Sequence, residues 1–91
     1  MIVLVRFDLE QADLDLFEDY ERQVLALLPR HGARLTGRWR SLDDRQETHL
    51  LAFPGPEALD AFRADPERQA LQGLWQDCGA ISQLEEVRDI A

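Results

Sequence analysis

Two short stretches, Ile2–Asp8 and Glu47–Phe53, carry apolar side chains in both directions, and this limits the possible folds more than any other feature of the chain. Ile2-Val3-Leu4-Val5-Arg6-Phe7-Asp8 is β-branched and apolar at its start and alternates toward its end. That pattern predicts a strand with both faces partly covered. Ile2 and Leu4 point opposite to Val3, Val5 and Phe7; in the second stretch Leu50 and Ala52 point opposite to Leu51 and Phe53. One layer of helices covers one face of a sheet, so an apolar set remains on the other face whichever way the strands turn. Monomers rarely leave such a patch in water.

The rest of the chain supplies the helices and the remaining strands. Gln11 to Arg30 has Leu14, Phe17, Val24, Leu27 and Leu28 near helical spacing, with Tyr20 and Glu21 in the middle turn. Pro29 and Gly32 place its end between them. Arg30 and His31 fall at that C-terminal end, where a cation suits the helix dipole. Ala33 to Arg40 alternates, with Ala33, Leu35, Gly37 and Trp39 on one face and Arg34, Thr36, Arg38 and Arg40 on the other. Ser41 to Gln46 is a polar connection to the Glu47–Phe53 strand, which Pro54-Gly55-Pro56 ends. A short helix over Glu57–Ala64 follows. Asp65-Pro66-Glu67 then restarts a helix, through about Asp77, with Ala70, Leu71, Leu74, Trp75 and Cys78 on one stripe. Gly79 is suited to end it, and Ala80 to Val87 reads as a last strand.

The order strand, helix, strand, strand, helix in two pieces, strand predicts an α+β fold. It is the ferredoxin-like βαββαβ layout, a four-stranded antiparallel sheet with helices on one face, in one domain spanning residues 1–91. The uncovered apolar set then predicts a homodimer through the open sheet face.

Composition narrows the function classes. The 91 residues carry 18 acids against 10 basic residues, all of them arginine, for a net charge of −8. That balance argues against nucleic acid or an anionic membrane as partner. The single cysteine, Cys78, allows neither an internal disulfide nor a cysteine-based metal site and suits a reducing cytoplasm. No apolar run is long enough to span a bilayer, and no basic segment precedes the first one. There is no glycine-rich phosphate loop, His-x-x-x-His pair or Gly-x-Ser-x-Gly elbow, so neither a metal nor a cofactor is expected.

With this layout in view, the chain resembles the dimeric α+β barrel superfamily over nearly its whole length. His31-Gly32 leading into a strand, Glu47 through Phe53-Pro54-Gly55-Pro56-Glu57-Ala58-Leu59, and Phe62-Arg63-Ala64-Asp65-Pro66-Glu67-Arg68-Gln69-Ala70-Leu71 look like short uncharacterised bacterial members. Leu35-Thr36-Gly37-Arg38-Trp39 and Ala64-Asp65-Pro66-Glu67 are similar to the NIPSNAP-like branch. The resemblance implies paired sheets forming a barrel. It also implies either a cofactor-independent monooxygenase or isomerase, or a non-catalytic dimeric structural or regulatory module. The haem-degrading members use an asparagine, and this chain contains none.

The candidate site residues follow from chemistry and pattern. Arg34, Arg38 and Arg40 share a strand face that Arg6 of the first strand can join, a lining suited to a small anionic or aromatic ligand in a pocket between sheet and helices. The alternative is pairing with Asp8, Glu47, Glu85 or Glu86 across the sheet or dimer. His49 is the candidate general base if a carboxylate, Asp8 or Glu85, meets it; otherwise it is a hydrogen-bonded core residue. Tyr20 offers a hydroxyl and Trp39 a stacking surface, each with packing as the plainer role. Asp8 reads as a turn or cap residue, and Trp75 and Cys78 as core.

Overall fold

The computed structural model describes residues Met1–Ala91. Strand β1 (Ile2–Asp8) leads into helix α1 (Leu14–Leu25) and a 3-10 turn (Leu28–His31). Strands β2 (Arg34–Arg40) and β3 (Gln46–Ala52) form a hairpin, and helices α2 (Pro56–Arg63), α3 (Pro66–Gln69) and α4 (Gln72–Cys78) precede β4 (Ile81–Val87). The four strands are antiparallel in the order β2-β3-β1-β4, so the two stretches with apolar residues on both faces are the two central strands. No helix is long and apolar enough to cross a membrane.

Helices lie on one face only. Val3, Val5 and Phe7 of β1 and Leu51 of β3 meet Phe17, Tyr20 and Val24 of α1, Leu59 and Phe62 of α2 and Cys78 of α4 in one buried core. Asp13 caps α1, its carboxylate accepting the Leu16 amide at 3.1 Å. The regular helix ends at Leu25, earlier than its apolar spacing suggests. Leu27 and Leu28 still reach the core, but from the tighter 3-10 turn through Pro29, which Gly32 closes at φ +67°. Proline has no N–H to continue the ladder, and the chain winds on through bonds spanning three residues, such as the Arg30 amide to the Leu27 carbonyl.

The helix restarted at Asp65 is itself divided, leaving the region after β3 in three pieces rather than two. The Leu71 amide bonds to the Arg68 carbonyl, three residues back, and the Trp75 amide begins a new ladder from the Leu71 carbonyl. The break re-aims α4 toward α1, where Trp75 packs against Tyr20 with ring centroids 5.0 Å apart. Asp65 caps α3 by accepting the Glu67 amide at 2.9 Å, and His31 Nε2 lies 2.7 Å from the same carboxylate. His31 thus ties the 3-10 turn to α3 and does not merely answer a helix dipole.

Strand β2 departs from simple alternation. A bulge at Thr36 leaves Leu35 opposite Leu51 and Gly37 opposite Leu50, so the two ends of the strand are out of phase. Arg38 and Arg40 stand opposite His49 and Glu47 on the helix side, whereas Arg34 stands opposite Ala52 on the open side. The expected common face of Arg34, Arg38 and Arg40 is therefore split, and so is that of Leu35 and Trp39. Arg6, opposite Thr48, also faces away from the helices. The open face carries half-buried Ile2, Leu4, Leu50, Ala52 and Val87, with Trp39 56% exposed near one edge. Trp39's ring lies across Gly37, where an added Cβ would come within 2.3 Å of the indole.

Candidate functional site

The site begins with a spacing on β3. Glu47 and His49, two residues apart, both point toward the helices, and each has a side-chain exposure of 2%. Register places Arg40 beside Glu47 and Arg38 beside His49. Arg38 Nε donates to Glu47 Oε2 at 3.1 Å, and Arg40 Nε donates to Oε1 at 2.9 Å. Both guanidiniums also reach Glu18 on α1, Arg38 Nη2 at 3.1 Å, so the arginines clamp helix and strand together. His49 Nε2 completes the set at 2.6 Å from Glu47 Oε2. Burial opposes ionisation of Glu47, but hydrogen bonds from His49, Arg40 and Arg38 outweigh it and hold the carboxyl down at about 2.

At the second ring nitrogen, Glu21 of α1 places Oε2 3.6 Å from His49 Nδ1, again with 2% of its side chain exposed. Burial, and then the negative charge of Glu47, push the Glu21 carboxyl up to about 8. It is protonated at neutral pH. Phe7 packs on the His49 ring at 4.8 Å between centroids and fixes its plane.

Glu21 and His49 form part of the wall of a cleft of about 180 Å³ between the sheet and α1, α2, α3 and α4. Val5, Phe7, Val24, Leu51, Leu59 and Phe62 make the walls apolar, and Tyr20, Trp75, Arg63 and Arg68 add polar or aromatic groups. Burial raises the Tyr20 hydroxyl's pKa above the ordinary phenol range. Arg68 stacks on Phe62 at 5.2 Å, and its Nε is buried without an acceptor. The helices do not extend over β4, so Ser82 and Leu84 border the cleft while remaining exposed.

Of the residues singled out in the sequence, His49 and Tyr20 border this cleft. Arg38 lies behind it, joined to His49 through Glu47, while Trp39, Arg34 and Arg6 lie on the opposite face of the sheet. Arg6 pairs there with Glu85 at 2.5 Å, both side chains more than half exposed. The carboxylates that meet His49 are Glu47 and Glu21, not Asp8 or Glu85, which face the open side. Sequence reasoning passed over Glu21 and gave Glu47 only a pairing role. The available signal was an acid among Phe17, Tyr20 and Val24, the buried stripe of α1.

Ligand atoms of Glu21, Glu47 and His49 lie within 4.8 Å of one another, a spacing that a metal ion can use. The donor set does not suit one. The two ring nitrogens of His49 face different carboxylates, and two guanidiniums already occupy Glu47 and would repel a further cation. The arrangement is that of an oriented imidazole between an ionised and a neutral carboxyl.

No protein-family model matches the chain, and none of the curated proteins matches it significantly. Solved structures do match. SnoaB, a cofactor-independent oxygenase from Streptomyces nogalater, superposes with a TM-score of 0.73 at 15% identity over 97% of this chain and 92% of its own. A NIPSNAP domain protein from Burkholderia xenovorans gives 0.62 at 18% identity over 100% and 98%. Rv0793 from Mycobacterium tuberculosis gives 0.63 at 12% over 99% and 97%. With near-complete coverage in both directions and the strand order β2-β3-β1-β4, the chain has the ferredoxin-like fold of the oxygenase and NIPSNAP structures it superposes on.

Proposed function

We propose that this protein, one ferredoxin-like domain over residues 1–91, is a cytoplasmic homodimer that binds a small, flat, anionic or aromatic metabolite between sheet and helices. The observation that carries the reading is the cleft itself, an apolar chamber into which Glu21, His49, Tyr20 and Arg68 bring polar atoms. Apolar walls with a few convergent polar groups are what ligand pockets require. At about 180 Å³ the cleft is smaller than the ~300–1,000 Å³ of drug-sized sites, which favours a ligand of about one ring. His49 and Tyr20 are the groups that meet the ligand. Arg38 acts through Glu47, and Arg6, Arg34 and Trp39 belong to the face that a second copy covers.

Cofactor-independent oxygenation or isomerisation is the enzymatic form of this reading, and the likeness to SnoaB, named a cofactor-independent oxygenase, supports it as an analogy of fold. The purified protein, screened by thermal shift against aromatic acids, quinones and haem, tests it. A ligand that binds the folded form raises the melting temperature, and Tyr20→Phe or Trp75→Ala reduces that rise. No shift with any of these compounds, together with no chemical-shift change around Trp75 by NMR, overturns it.

A second reading has its own support. Arg38 and Arg40 are fully engaged by Glu47 and Glu18, as a non-catalytic dimeric structural or regulatory module would have them. On that reading the cluster serves to pin α1 to the sheet, and the cleft stays empty under the same screen.

A further inference from the structure

The clamp on Glu47 dictates which nitrogen of His49 carries a proton. Glu47 receives Arg38 Nε and Arg40 Nε on its two oxygens and is ionised, so it acts only as an acceptor. The 2.6 Å contact with His49 Nε2 must then be an Nε2–H donation. In the neutral ring the lone pair sits on Nδ1, and Nδ1 is the atom that faces Glu21 at the cleft wall. A base oriented by a carboxylate stands next to an acid that burial keeps protonated. This pairing of two titratable groups in opposite roles is what acid–base chemistry near neutral pH requires.

We propose that Glu21 and His49 form an acid–base couple that isomerises a carbonyl compound bound in the cleft, moving a proton from the carbon beside the carbonyl to the carbonyl oxygen. The C–H bond breaks and Nδ1–H forms. The electron pair of the C–H bond becomes the C=C bond of the enol, and the carbonyl oxygen takes the proton of Glu21. Transfer of the Nδ1 proton to the Glu21 carboxylate, 3.6 Å away, restores both groups. No oxidant, reductant or metal enters the balance. Arg68 completes the substrate class. Its Nη1 makes a long contact to the Arg63 carbonyl, at 3.4 Å, and the Tyr20 hydroxyl is near, but its buried Nε lacks an acceptor, so a carboxylate on the ligand satisfies it. The substrate is then a small aromatic 2-oxo acid or a close analogue. Glu47 is a positioning residue in this scheme. The inference rests on the cleft being a ligand site.

Phenylpyruvate, which has a ring, a carboxylate and an exchangeable benzylic C–H beside a ketone, is the probe. Exchange of that hydrogen in D₂O, followed by proton NMR at low buffer concentration, is expected to run well above the background. Glu21→Gln and His49→Gln are each expected to lower the rate about 100-fold or more while the probe still binds. Arg22→Gln, far out on the exposed side of α1, leaves it unchanged. Nitrogen-15 NMR of the wild type is expected to show the Nε2–H form of His49, and Glu47→Gln to shift the ring toward Nδ1–H. If phenylpyruvate binds but exchanges at the background rate, or if His49 is protonated on Nδ1 in the wild type, the acid–base assignment is wrong and the ligand site stands. If phenylpyruvate does not bind at millimolar concentration, the 2-oxo acid assignment is wrong, and the ligand site falls with it only if the aromatic acids, quinones and haem also give no shift. Should His49→Gln fail to fold, Glu21→Gln and the ring signature of the wild type decide the matter.

Discussion

Glu21 and Glu47 meet different nitrogens of the His49 ring and are held in opposite ionisation states. Glu21 Oε2 is 3.6 Å from Nδ1 and Glu47 Oε2 is 2.6 Å from Nε2. The difference comes from their neighbours. Glu47 is opposite β2, which brings two guanidiniums to it, while Glu21 projects from α1 into the apolar side of the same cluster. One buried negative charge therefore suffices for Arg38 and Arg40, together with the more exposed Glu18, and a second beside it is suppressed.

This asymmetry predicts an unusual pH dependence of stability. Glu21 titrates near 4.5 when unfolded and at about 8 when folded, so the folded form holds one more proton between those values. Stability then falls as pH rises through that window, by about 1.4 kcal/mol per pH unit and on the order of 5 kcal/mol in all. Glu47 works the other way. Its stabilisation is present above about 4.5 and is lost as acid approaches its folded value of about 2. From these two groups, stability is greatest near pH 4–5. Urea denaturation from pH 3 to pH 9 checks the shape. Glu21→Gln should flatten the alkaline limb and be more stable than the wild type at pH 9.

Removing Glu47 has a different consequence from neutralising Glu21. Glu47→Ala leaves Arg38, Arg40 and His49 facing one another around a buried gap, and a loss of about 3–5 kcal/mol is expected. Glu47→Gln keeps the volume and one acceptor and should lose less. Denaturation midpoints at pH 7 measure both. Equal and small losses would mean that the clamp adds nothing to the fold.

Much of the architecture was legible because it depends on pattern. Alternation in β1 and β3, helical spacing in α1 and the Asp65-Pro66 cap each report a local preference that packing reinforces. What stayed hidden depends on register. The Thr36 bulge shifts β2 by one residue, and no residue type at that position announces it. It separates Arg34 from Arg38 and Arg40. His49 was visible as a candidate, but its partners were not. Glu47 is reached through side-chain direction along β3, and Glu21 only through the docking of α1 on the sheet. The Leu71 break was equally silent, because the apolar stripe runs on through it.

Gly79 offers a test of how β4 is delivered to the sheet. It adopts φ +77° after α4, and an added Cβ would lie 2.8 Å from the Gln11 carbonyl oxygen in the β1–α1 connection. Backbone strain and a backbone clash coincide there. Gly79→Ala is expected to cost about 2 kcal/mol or more, with the melting temperature falling accordingly. Gly73, around which nothing lies within 4 Å, is the comparison: Gly73→Ala on α4 should be neutral or stabilising by up to about 1 kcal/mol.

The open sheet face gives the last prediction. Ile2, Leu4, Leu50, Ala52 and Val87 form one apolar block across β3, β1 and β4, because Ile2 stands between Ala52 and Val87 and Leu4 stands next to Leu50. No helix of the same chain lies over it. Each aliphatic side chain fully removed from water contributes about 1.5–3 kcal/mol, and covering the half-buried block is the driving force expected to bring two copies together. Light scattering of the wild type should return twice the 10.5 kDa chain mass. Leu50→Glu places a charge at the centre of the block and should give the monomer, with the helix-side core left intact by circular dichroism. Trp39, 56% exposed in one copy, reports the same event. Its fluorescence, isolated in Trp75→Phe, should shift to the red as Leu50→Glu separates the copies or as the wild type is diluted. A wild type that stays at single-chain mass at high concentration removes the second copy from the proposal.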